Sequence, residues 1–448
     1  MKRSISIFLL ALLLMFSTAC QPTPEKEIVY NRGDGKLEQA IVATAAPTFA
    51  PEESYEAPEK WEETLEIRGR MVNIDAEVIV ADTTSYPVIT IAKDTFTEAG
   101  AIDFFKTMLG DTIEVRQQQR SYDELLEDLM TAERGYYIGI DDDTGEVLFG
   151  PYKEQEADIA EIKALLAETS PEETYAPFTS MFPMRTQTLL KDAEGNRWYG
   201  YWYERGVQFY VDRRSTIQLE NWIIDFGGYP GETPHALENI KISLEDAVEL
   251  ADQWVEKLGS GDFAYVSVEK ARSLEGETYT VLSEGYYLTY VRNIAGGVPQ
   301  FYDYYSMPQT IIRLEEGENK YAPGWEQESI KIYVTEAGVQ FFSWGDKVKV
   351  LGTANENVQL LPFEEIQESI RKLLTYALTD SLFEDGDPVY ITQVVLSTSI
   401  QQIADQGNEA FLAPTWVVYL TSADKIRFHE NPGVLLFSAI DGSVIWKV

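Results

Sequence analysis

Apolar and polar residues first alternate in LEIRGRMVNIDAEVIVAD, residues 65–82, where Met71, Ile74, Val78 and Val80 stand among charges and predict a half-buried strand. YPVITIAKDTF predicts a second strand. The period then lengthens. TEAGAIDFFKTMLGD carries Ala101, Phe104, Phe105 and Met108 at helical spacing and stops at Gly110, and SYDELLEDLMTAE opens with Ser121 and Glu124 as a capping box. YYIGIDDDTGEVLFGPY reads as a hairpin around Thr144 and Gly145. Strands followed by helices make this first stretch α+β.

In NRWYGYWYERGVQFYVDRR, a hairpin turning at Arg205 and Gly206 puts Trp198 and Trp202 on one face and Tyr199, Tyr201 and Tyr203 on the other. One face belongs to a core. The other is a candidate platform for stacking sugars or docking a partner, so these five residues are the candidate ligand-binding set.

The second half of the chain repeats an order of elements. ISLEDAVELADQWVEKLG begins at Ser243 as N-cap with Asp246 at the box position, and Ala247, Val248, Ala251, Trp254 and Val255 line its apolar side up to Gly259. LPFEEIQESIRKLLTYAL is its counterpart, with Pro362 in the first turn and a stripe of Phe363, Ile366, Ile370, Leu373, Leu374 and Ala377. Each helix precedes two strands and then a hairpin with an acidic residue just before a glycine: Glu336 and Gly338 in the first, Asp441 and Gly442 in the second.

This order resembles PepSY-type domains, small α+β modules of exported bacterial proteins, over residues 243 to 448, with SAIDGSVI the nearest local echo. The resemblance implies tandem helix-on-sheet units and an association with protease inhibition or with regulating envelope proteins. It carries over no catalytic residue. The predicted fold class is α+β: antiparallel sheets, each packed with one or two helices.

The N-terminus fixes where such a protein works. The apolar run Ile7–Phe16 follows Lys2 and Arg3 and is shorter than the roughly 20 residues a spanning helix needs, so it reads as an export signal. STAC resembles the lipobox of bacterial lipoproteins, with Ser17 where leucine is usual, and this implies lipidation of Cys20 and removal of residues 1–19. A diacylglyceryl cysteine holds a bilayer stably, because two buried chains succeed where a single chain binds only marginally. Residues 20–60 hold Pro22, Pro24, Pro47, Pro51 and Pro58 and read as an unstructured acidic tether. Together with VNIDAEVIVAD and YPVITI, these features look like an uncharacterised lipoprotein family of Gram-positive gut bacteria, which implies attachment to the outer, extracellular face of the cell membrane.

Composition narrows the partners. The formal charge is −38, and it becomes −40 when Lys2 and Arg3 leave with the signal, so nucleic acid and anionic headgroups are repelled and no nucleic-acid partner is expected. A hydrophobic share of 44% supplies enough apolar surface for sizeable cores despite that charge. With Cys20 the only cysteine, no disulfide supports them.

Catalytic motifs are sparse. His235 and His429 are the two histidines, and no G-x-S-x-G, H-E-x-x-H, C-x-x-C or phosphate-binding glycine loop occurs, so no zinc, nucleotide or other cofactor is expected. Ser267 with Lys270 and Ser422 with Lys425 match S-x-x-K without companion motifs, the pattern of chance matches. Asp141, Asp143 and Glu146 offer oxygen ligands to a hard cation such as calcium, but the glycine falls at Gly145 and no acid stands at the twelfth place, so a hairpin turn explains them and no metal is assigned. Carboxylate pairs for glycoside hydrolysis cannot be picked out among 74 acids.

The expected organisation is a signal (1–19), a tether (20–60), an N-terminal α+β domain (61–170), an aromatic β block (171–242) and two PepSY-like units (243–352 and 353–448). The favoured function is a non-enzymatic envelope interaction or regulatory lipoprotein, held to the membrane by its lipid, with an envelope protein as partner. A glycan- or solute-binding lipoprotein is the alternative, and a hydrolase comes third.

Overall fold

The computed structural model describes residues 36–43, 55–67, 69–118, 120–140, 147–180, 187–211, 215–219, 237–259, 263–275, 281–293, 327–377, 388–402, 408–422 and 433–445. Cys20, Asp141, Asp143, Glu146, His235, His429 and Lys425 lie outside the described residues. The first elements are α1 (Lys36–Ala43), β1 (Lys60–Ile67), β2 (Arg70–Ile79), β3 (Val88–Lys93), α2 (Glu98–Leu109), β4 (Glu114–Arg116), α3 (Tyr122–Arg134), β5 (Tyr136–Ile140), β6 (Val147–Gly150) and α4 (Gln155–Glu168). There follow β7 (Tyr175–Pro177), β8 (Gln187–Lys191), β9 (Arg197–Tyr203), β10 (Gly206–Tyr210), β11 (Ser215–Leu219), α5 (Leu244–Glu256), β12 (Phe263–Glu275), β13 (Val281–Arg292), β14 (Ser329–Thr335) and β15 (Gly338–Gly345). The last are β16 (Val348–Asn355), α6 (Phe363–Ala377), β17 (Val389–Gln402), β18 (Glu409–Ser422), β19 (Gly433–Ser438) and β20 (Val444–Ile445).

The fold is α+β. One sheet of eight strands runs β1-β2-β17-β18-β19-β20, with β3 on the first residues of β18 and β16 on β3. A second, of ten strands, runs β11-β12-β13-β14-β15-β10-β9-β8-β4-β7, and β5-β6 is a separate hairpin. Among the described residues all pairings are antiparallel except β2 with β17.

Helix followed by a four-strand antiparallel meander occurs twice, as α5-β12-β13-β14-β15 and α6-β17-β18-β19-β20. Neither meander stands alone, because its outer strands would present unpaired backbone N–H and C=O groups. The earlier part of the chain covers those edges: β10 adds to β15, and β2 adds to β17. The sheets therefore cut across the expected divisions at 61–170, 171–242, 243–352 and 353–448. Strands from both ends of the chain form the eight-stranded unit, and β4 with β7–β15 form the ten-stranded one.

The expected tether is also corrected. Residues 36–43 form α1, whose Leu37 and Ile41 are buried in the core of the eight-stranded unit beside Val358, Leu360 and α6. Tyr55 is buried there too, its hydroxyl donating to Leu361 O at 2.8 Å. Apolar side chains at i and i+4 give an eight-residue helix one face to bury, and that burial outweighs the low complexity around it.

On β2, Val72, Ile74, Ala76 and Val78 point inward, so Met71, read with the buried set, faces out at 42% exposure. The sequence did not predict α4, none of whose residues is buried. The second core lies between the ten-stranded sheet and two helices: α2 contributes Ala101, Phe105 and Met108, and α5 contributes Ala247, Ala251 and Val255. Thr97 caps α2, and the Ser121–Glu124 box and the Ser243 cap form as the sequence predicts.

The chain crosses between the two units at residues 94–97 and 346–347. These crossings touch: Asp94 N donates to Lys347 O at 3.1 Å, Lys347 Nζ lies 2.8 Å from Asp94 Oδ2, and the Phe96 and Trp344 rings meet edge to face at 5.5 Å. Among the described residues no helix is long and apolar enough to cross a membrane.

Candidate binding face

The β9–β10 hairpin turns through Glu204 and Arg205, since Tyr203 pairs with Gly206. Alternation then sends Trp198, Gly200 and Trp202 inward. Trp198 is buried against Phe209 and Trp254 and donates its indole N–H to Asp192 Oδ2 at 2.9 Å. Burial works against the Asp192 charge, but hydrogen bonds from Trp198, Asn196 and the Glu194 backbone hold the carboxyl below its ordinary range. Trp202 donates to Phe96 O at 2.9 Å and packs against the same core. Both tryptophans of the candidate set are thus core residues. Gly200 lets the strand lie close to α2, because a Cβ there would stand 3.1 Å from the Phe105 ring and press on it.

Tyr199, Tyr201 and Tyr203 face away from that core, as alternation predicts. Tyr199 and Tyr201 are half-buried and both stack on Tyr210, at 5.7 and 5.6 Å between ring centroids. Tyr203 is 44% exposed and curls over Gly206, where an added Cβ would lie 2.6 Å from the phenol oxygen. Burial raises the Tyr203 phenol, Asp346 adds to the rise, and Arg205 opposes it.

Strand registers extend this face far beyond the hairpin. Leu189, Tyr199, Tyr210, Phe341, Tyr333, Tyr287 and Glu269 stand opposite one another in turn across β8, β9, β10, β15, β14, β13 and β12. Two residues along each strand lies a second row: Gln187, Tyr201, Gln208, Ser343, Lys331, Thr289 and Ser267. The first row is mostly aromatic and the second mostly polar. Tyr287 and Phe341 stack at 6.2 Å, and Tyr333 is buried with its hydroxyl donating to Ser283 O at 3.0 Å. The accessible portion is centred on β9, β10 and β15, where Tyr199, Tyr201, Gln208, Tyr210, Phe341 and Ser343 are all half-buried. Burial pushes the Lys331 ammonium down to about 8, with Asp346 opposing. Such a surface can stack flat apolar groups and exchange hydrogen bonds around them.

Sequence reasoning identified the tyrosines of β9 but missed Tyr210, Phe341 and the polar row, because strand register between distant segments is not encoded in local alternation.

Among the described residues, the remaining motifs do not assemble a reaction centre. Ser267 lies on the outer face, while Lys270, three residues along β12 and opposite Tyr286, lies on the other, so this S-x-x-K pair does not converge. A pocket of about 290 Å³ beside β13 and β14 contains Glu284 and Glu336. Glu284 accepts from Asn239 N and Glu336 from Lys241 Nζ, each at 2.8 Å, so both carboxylates are already engaged. Arg116 is buried in a network with Glu124, at 2.9 Å, and Glu173, at 3.2 Å, which fixes the start of α3 against β4.

No family model matches the chain, and no curated protein matches it. A structural likeness is found with an uncharacterized protein from Eubacterium rectale, 12% identical in sequence, at a TM-score of 0.45 over 92% of this chain and 99% of that one.

Proposed function

We propose that this chain is a lipoprotein held at the outer face of the cell membrane through Cys20, and that it binds another envelope protein rather than catalysing a reaction. The observation that carries this reading is the aromatic row beside a polar row on the outer face of the ten-stranded sheet, half-buried at Tyr199, Tyr201, Tyr210 and Phe341. Rigid aromatic side chains with hydrogen-bonding neighbours are the residue types that dominate protein interfaces. The PepSY-like order of elements over residues 243–448 supports a regulatory role by analogy.

The test is capture from detergent-solubilised envelope with the full chain as bait. One membrane protein enriched by the wild type and lost with Tyr201→Ala/Tyr210→Ala supports the reading; unchanged capture by that variant overturns the face as the site. A second reading, glycan binding, is favoured by the stacking of Tyr199 and Tyr201 on Tyr210 next to Gln208. Glycan-array binding that the same variant abolishes, without protein capture, would establish it. Cys20→Ala should move the protein from the membrane fraction to the medium, or leave it unprocessed.

A further inference from the structure

The lobe formed by α3, β5, β6 and α4 is poorly buried. Of its helical residues only Glu124, Leu125 and Ala132 are buried, all on α3. Seven of the 17 exposed large hydrophobic residues among the described residues lie in this one lobe. An isolated two-stranded hairpin is marginal in water, and this one exposes apolar side chains on both faces.

Those side chains form two patches, one on each face of the hairpin. Tyr136 pairs with Gly150, Leu148 lies two residues before Gly150 on the same side, and Ile138 reaches to 3.1 Å from where a Gly150 Cβ would stand. On the other side, Phe149 lies under the Arg134 guanidinium at 4.5 Å, and Arg134 ends a stripe with Leu126 and Met130 at intervals of four along α3. On the first side Tyr136 is 53% exposed, Ile138 54% and Leu148 39%. Contiguous exposure on this scale marks an interaction surface.

Charge decides the occupant. Residues 121–168 contain 14 Asp and Glu against three Lys and Arg, a net −11 of the chain's −38. On α4, Glu156, Glu161 and Glu168 are exposed. A second copy would bring the same charge, and an anionic bilayer would be repelled, whereas a basic segment is attracted. The edges of β5 and β6 are four or five residues long, and β5 is bulged at Ile138, features that discourage strand addition. An amphipathic helix needs no backbone pairing and lays its apolar face on such a surface.

We propose that this lobe docks a basic amphipathic helix of a protein partner, the apolar face of that helix against Tyr136, Ile138 and Leu148 and its lysines or arginines toward the acidic side chains of the lobe. The site is separate from the tyrosine face and does not rest on it.

The test titrates the full chain in detergent with a fluorescent Leu/Lys peptide of helical period. Its controls are a Leu/Ser peptide of the same period and a Lys/Ser peptide of the same charge. Only the Leu/Lys peptide should bind. Tyr136→Glu/Ile138→Glu should weaken it about ten-fold or more, as loss of central apolar contacts does. Glu156→Lys/Glu161→Lys should weaken it and flatten its salt dependence, since screening acts on the charge contacts. Equal binding of either control, no binding of the Leu/Lys peptide, or indifference to Tyr136→Glu/Ile138→Glu overturns the proposal. Self-association in sedimentation that this variant abolishes also overturns it, in favour of a second copy. The peptide titration reads the lobe and the envelope capture reads the tyrosine face, so either can fail without the other.

Discussion

Arg292, at the end of β13, and Glu328, just before β14, form a buried bidentate pair, with Arg292 Nη2 2.9 Å from Glu328 Oε1. The same carboxylate accepts from Trp344 Nε1 at 3.0 Å and from Val348 N at 3.2 Å. It therefore joins the meander of the ten-stranded unit to the first residue of β16 in the other unit. Glu328→Gln removes the buried carboxylate paired with Arg292, a loss of up to about 3–5 kcal/mol. Urea denaturation checks this, and a change under about 1 kcal/mol, within the range of an exposed ion pair, would show that the junction does not depend on the pair. Replacing both residues by apolar ones should not restore full stability, because the Trp344 and Val348 N–H groups would still lack their acceptor.

Leu37 and Ile41 of α1 carry a second expectation. Both are 2% exposed, and Asn355 Nδ2 donates to Ile41 O at 2.7 Å, so the helix is held by the core and by β16. Leu37→Ala or Ile41→Ala should cost about 2–5 kcal/mol, the range for emptying a buried aliphatic site. Limited proteolysis should leave 36–43 intact in the wild type and cut there in the variants. Cleavage at wild-type α1 under native conditions would contradict the docking.

Local signals in the sequence were read correctly where they suffice to fix an element. Ser121 and Ser243 cap their helices through their own hydroxyls, and the two hairpins at Gly338 and Gly442 need no information from elsewhere in the chain. Pairing between distant segments was not legible. β2 lies parallel to β17 and β10 lies on β15, and nothing within Arg70–Ile79 or Gly206–Tyr210 names a partner more than 100 residues away. The tyrosines of β9 were identifiable as an outward face, but Phe341 and Lys331 join them only through that long-range register. The apolar face of α1 was visible at Leu37 and Ile41, yet eight residues among prolines and low-complexity sequence give propensity too little weight.

The two hairpin glycines should respond differently to substitution. Gly338 has φ 100° and open space around a would-be Cβ, whereas Gly442 has φ 71° and a Cβ there would lie 2.8 Å from Ser369 Oγ and 3.3 Å from Leu361 Cδ1. A side chain at positive φ costs roughly 1–2 kcal/mol by itself. Gly338→Ala should show about that, and Gly442→Ala clearly more, since the turn also presses on α6. Thermal melts of the two variants compare them directly, and equal losses would mean that Ser369 moves aside without cost.

Lys331 makes the fold's stability depend on pH in a defined window. Its folded value is held down to about 8 by burial, with Asp346 opposing, against an ordinary value of 10.5. Between those two values the unfolded chain binds more protons than the folded one, so this group makes stability rise with pH through the window, by up to about 1.4 kcal/mol per unit. Below pH 8 the cost of burying the ammonium is carried in full. Lys331→Met keeps the apolar stem and removes the charge, so it should be more stable than the wild type at pH 7, with the difference closing as pH approaches 10.5. Paired denaturation series isolate the effect, because the tyrosines and the large negative charge are common to both proteins. A stability difference that stays constant from pH 7 to 10.5 would assign the effect to packing instead of to the ammonium.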